Sequence, residues 1–122
     1  MAKDFTAEWN RAKLAAQLAG EKWVAEHTQP AYLVKDGFTG RVVGSLLDVC
    51  GRAYVQTKLN TAFGRWCRAH NGRRGGVDKW LHFGNALEMR QEMGLHEAMA
   101  HAALESLRAD GIQGLSFYSW ID

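Results

Sequence analysis

The pattern in this chain that most invites chemistry is HEAMAH, from His96 to His101, two imidazoles and a carboxylate within one short stretch. A helix chelates one metal ion through two histidines at i and i+4, about 40° apart around its axis. His96 and His101 are spaced i and i+5, roughly 140° apart on a helix, so they face different surroundings and no metal site is expected. Glu97 and His101 share a helix face and read as an ordinary surface pair. Glu88 and Glu92 are also one helical turn apart. Arg90 lies between them with no second acidic cluster nearby, so they read as a solvated face rather than a general acid and base.

Cys50 and Cys67 lack a CxxC or a paired histidine spacing and read as buried structural thiols in a reducing compartment. An unfamiliar enzyme site would have to be built around Asp48, Cys50 and His82, and Asp48 fits the cap of a Cys50-Gly51 turn better than a catalytic role. Two glycine groups, Gly37/Gly40/Gly44 and Gly72/Gly75/Gly76, match neither GxxxxGK[ST] nor GxGxxG, so no nucleotide cofactor is expected. The reading is of a non-catalytic binding protein without cofactor or metal.

Charge then becomes the informative quantity. The stretch Lys58 to Trp80 holds Lys58, Arg65, Arg68, Arg73, Arg74 and Lys79 against the single acid Asp78, a balance of +5, while the remainder of the chain stands at −3. Clustered Lys and Arg attract phosphate backbones or acidic protein faces. Lys58, Arg65, Trp66, Arg68, Arg73, Arg74 and Lys79 are therefore the expected contact residues for nucleic acid or a nucleoprotein complex. Trp66, His70 or Trp80 could stack on exposed bases. Neither a helix-turn-helix nor an RNA-recognition motif is visible, which leaves base-specific readout unsupported. The alternative is a protein-interaction module, an inhibitor or adaptor, whose arginines engage an acidic protein surface.

The elements that must carry these residues can be read from periodicity. Phe5, Trp9, Ala12, Ala16, Ala19 and Trp23 recur at steps of four and three and predict a long helix over residues 3–27. A second stripe, Ala7, Leu14, Leu18 and Ala25, lies on the opposite side, to be covered by a later helix or by a partner, a homodimer being one form of that contact. Gln29-Pro30 ends the helix. Residues 31–57 then read as three strands, Tyr32 to Lys35, Arg41 to Val49 and Arg52 to Thr57, joined by turns at 36–40 and 50–51 into an antiparallel meander. Asn60 or Thr61 caps a short helix to His70, with Arg65 and Arg68 on one side of it. A glycine-arginine loop leads to a strand from Val77 to Phe83. Asn85 caps a helix through Met93, Gly94 interrupts, and a largely buried helix runs from Leu95 to Ala109. Ile112 to Ile121 closes as a strand, with Ser116, Tyr118 and Trp120 on one face.

These elements predict one α+β domain over residues 1–122: a mostly antiparallel sheet, the three-stranded meander plus two later strands, packed by a long N-terminal and a C-terminal helix. A chain of 122 residues is long enough for one core, and its five tryptophans are expected mostly to serve it. No apolar run approaches the roughly 20 residues needed to cross a bilayer, and no secretory leader is visible, so the expected setting is cytoplasmic, away from membranes.

Overall fold

The computed structural model describes residues 3–28, 32–35, 42–46, 50–71 and 80–121, the strands within 32–46 by their backbone. Helix α1 spans Thr6–Glu26. The Asp4 carboxylate starts it, accepting the backbone N–H of Thr6 at 3.0 Å and the Thr6 hydroxyl at 2.6 Å. These two bonds hold the Asp4 carboxyl below its ordinary range. The stripe expected from the sequence is the buried one: Phe5, Trp9, Ala12 and Ala16 sit in the core, with Trp23 packed against it.

Helix α3, Met93–Ala109, buries Leu95, Met99, Ala100, Ala103, Leu104 and Leu107. It packs against α1 on one side and against strands β3, Gly51–Thr57, and β4, Leu115–Ile121, on the other. The small residues of α1 permit close approach. A methyl group added at Gly20 would lie 2.7 Å from Leu87 Cδ1 and 3.0 Å from Met99 Cγ. Gly94 falls inside the first turn of α3 rather than before it.

The expected five-stranded arrangement is not what forms. Strand β1, Tyr32–Lys35, pairs with β2, Val42–Leu46, in one two-stranded antiparallel sheet, and β3 pairs with β4 in another, so among the described residues there is no three-stranded meander. The reason lies in what each neighbour offers β3. Its register with β4 sets Tyr54 opposite Tyr118, Val55 opposite Phe117 and Arg52 opposite Trp120. Such aromatic and aromatic–aliphatic cross-strand pairs stabilise a ladder, while β2 has Gly44 and Ser45 at its centre. The turn expected at Cys50-Gly51 does not form: Cys50 bridges to Glu92 and Gly51 opens β3. Asp48 and the turn at 36–40 lie outside the described residues.

The strand expected over Val77 to Phe83 is reduced, within its described part, to a single bridge between Trp80 and Gln56, with the Leu81 N–H donating to the Val55 carbonyl at 2.9 Å. Asn85 does act as a helix cap. Its side chain accepts the Glu88 N–H at 3.2 Å while the Glu88 carboxylate accepts the Asn85 N–H at 3.4 Å, a reciprocal capping box. Only a 3₁₀ turn, Ala86–Met89, results. Arg90 is extended, and its carbonyl is taken at 2.6 Å by His96 Nε2, which therefore carries the proton. That bond, from a buried ring, withdraws Arg90 from any longer helix.

Candidate nucleic-acid interface

Helix α2, Ala62–Asn71, carries the first half of the basic stretch. Thr61 is its cap: the hydroxyl accepts the Gly64 N–H at 3.0 Å and donates to the Lys58 carbonyl at 2.7 Å. One side chain thus ties the helix start to the turn after β3. Lys58, Arg65 and Arg68 are exposed. Arg65 donates through Nη1 to the Asn60 carbonyl at 2.7 Å, which orients the guanidinium and leaves its other donors available. It also rims a groove of about 680 Å³ between α2 and the start of α1, together with Lys3, Asp4, Trp66 and His70.

Trp66 belongs elsewhere. It is 8% exposed, lies in the core beside Phe5 and stacks between Phe63 at 6.1 Å and His70 at 4.7 Å, so it is a wall of the core and no platform for a base. Arg73, Arg74 and Lys79 lie outside the described residues.

The aromatic surface that sequence reasoning missed is the outer face of the β3–β4 sheet. Alternation along β3 buries Ala53, Val55 and Thr57 against α3 and turns Arg52, Tyr54 and Gln56 outward. The same register turns Ser116, Tyr118 and Trp120 outward from β4. Trp80 joins them through its bridge to Gln56. Tyr54 is 5.6 Å from Trp120, 5.7 Å from Trp80 and 5.1 Å from His82, and Trp80 is 5.4 Å from Tyr118 and 5.9 Å from Trp120. Most of these pairs meet edge to face, the geometry that ring quadrupoles favour. Tyr118 remains 48% and Trp120 42% exposed. Together these rings form an exposed aromatic patch on the sheet face.

The electrostatics of this face are one-sided. Neither β3, β4 nor the stretch 80–83 contains a carboxylate, and their one permanent charge is Arg52. Arg52 donates to the Glu88 carbonyl at 3.2 Å, a contact that fixes the side chain without neutralising it. Among the described residues, the acid group that meets the edge of this face is the Glu88 carboxylate, 3.6 Å from His82 Nδ1. Just beyond, Arg90 donates to Glu92 at 2.6 Å, which holds the Glu92 carboxyl below its usual range.

The other chemistry considered from sequence is dispersed. His96 is buried on Arg90, whereas exposed His101 stacks on Phe117 at 4.1 Å. The Cys50 thiol contacts Gln91 Oε1 at 3.6 Å, and His82 faces Tyr54 and Glu88. Burial pushes the Cys67 thiol up to about 12, so it stays protonated and unreactive. A thiol reagent at pH 8 is expected to modify Cys50 in the native protein and Cys67 only after unfolding, as peptide mass spectrometry would read. Rapid native labelling of Cys67 would contradict its burial. Among the described residues no helix is long and apolar enough to cross a membrane.

Comparison with protein-family profiles, curated proteins and solved structures finds no match to this chain.

Proposed function

We propose that this is a small non-enzymatic binding protein whose basic segment, residues 58–79, contacts nucleic acid or a nucleoprotein complex through phosphate-like contacts. The observation that carries the reading is the bridge between Gln56 and Trp80. The segment leaves β3 at Lys58 and returns beside the same strand at Trp80, so its net +5 begins and ends at one place, on the edge of an aromatic face whose strands carry no carboxylate. Lys58 and Lys79 flank that junction in the chain. The proposal includes a reducing, cytoplasmic setting, which the two free cysteines fit.

The test is titration of a labelled mixed-sequence oligonucleotide at increasing salt. If four arginines contact phosphates, affinity falls roughly 100-fold between 50 and 200 mM salt. Arg65→Ala and Arg68→Ala should each weaken binding evenly across sequences and reduce the salt slope by about one. Absence of binding to DNA and RNA at low salt would refute the reading.

A second reading, a protein-interaction module such as an inhibitor or adaptor that engages an acidic surface, draws on α1. Leu14 and Leu18 are 57% and 56% exposed there, with Ala7 and Ala25 exposed on the same stripe. This stripe is where a homodimer or protein partner would sit. Light scattering on the wild type and on Leu14→Ser/Leu18→Ser tests the dimer, and pull-down after nuclease treatment tests the partner.

A further inference from the structure

Resting on the nucleic-acid reading above, we infer that the outer face of β3–β4 takes unpaired bases, and that the ligand is single-stranded. Tyr118 and Trp120 are the most open rings of the cluster and stand two residues apart on one strand face, a spacing of about 7 Å. An extended single strand can follow that spacing and lay successive bases on exposed rings, a contact every base can make through its π-face. A duplex keeps its bases stacked inward and presents phosphates, which exposed tyrosine and tryptophan rings do not recognise. Trp80 backs both open rings edge to face and Tyr54 lies tilted against Trp120, so the platform is held before a ligand arrives. Charge points to the same occupant. Arg52 lies opposite Trp120 in the ladder and Lys58 follows the end of β3, so cations stand at both ends of the face. Phosphates of a strand laid across the rings would meet these cations, with the Glu88 carboxylate confined to the edge beside His82.

The experiment uses the full chain and three labelled probes, a mixed-sequence 12-nucleotide DNA strand, its RNA counterpart and a hairpin duplex, read by fluorescence anisotropy at low salt. Either single strand is expected to bind at least tenfold more tightly than the duplex. Trp120→Ala should weaken single-strand binding roughly 5- to 150-fold with the duplex unaffected, the range for loss of one stacked base, and Trp120→Phe should retain most of it. Circular dichroism establishes that both variants are folded. Equal binding of strand and duplex, or a folded Trp120→Ala that binds the strand like wild type, overturns the inference while leaving the phosphate-contact reading intact. Failure of all three probes to bind overturns both.

Discussion

Gly64→Ala is expected to destabilise the protein by more than about 3 kcal/mol, beyond the usual span of a point substitution. The added methyl would collide with the Lys58 carbonyl and lie 2.9 Å from Leu59 Cα. These are backbone atoms with no rotamer into which to retreat. In an open helix the same change would stabilise by up to about 1 kcal/mol. Steric overlap wins because the first turn of α2 lies directly on the turn that leaves β3, where Thr61 already fixes the spacing through Lys58 and Gly64. Urea denaturation of wild type and variant measures the difference. A variant of equal or greater stability would mean that α2 does not sit against Lys58 and Leu59. On the nucleic-acid reading proposed above, a weakened fold should also bind less well, since Lys58 and Arg65 flank this contact.

Trp9→Ala should cost about 3–5 kcal/mol, the range for removing a buried large ring. Trp9 is 5% exposed, its ring centroid 6.1 Å from that of Phe83. Trp120→Ala removes the same atoms from a position 42% open to solvent and should cost less, about 1–2 kcal/mol for its contacts with Tyr54 and Trp80. The contrast separates two uses of one residue type. If chemical denaturation found the two costs equal, the outer sheet face would be part of the packing and not a surface held open for a ligand.

The sequence announced α1 and α2 well because their information is local. Phe5, Trp9, Ala12 and Ala16 repeat within a few turns, and Thr61 precedes its helix at the spacing that capping requires. Alternation likewise placed Ser116, Tyr118 and Trp120 on one face of a strand. What it could not say is which strand lies alongside, because register depends on packing against a distant partner. Thus Tyr54 and Trp120, far apart in the chain, meet at 5.6 Å with no local signature. Trp66 illustrates the converse. Its place among arginines made it look like a contact residue, but Phe5, Phe63 and His70 enclose it. A ring within a basic run is assigned by what covers it, and the run itself does not reveal that.

The pairing of Gly51 with Ile121 spans 70 positions of chain. Contacts this remote close late, since the entropy of the intervening loop must be lost before the ladder compensates for it. On the ribosome, where the chain emerges in order, α1, β3 and the arginines of α2 are all made before β4 leaves the exit tunnel. A nascent chain therefore displays its cations before it has the aromatic sheet beside them. Any ligand that needs both must wait for β4 to dock against β3.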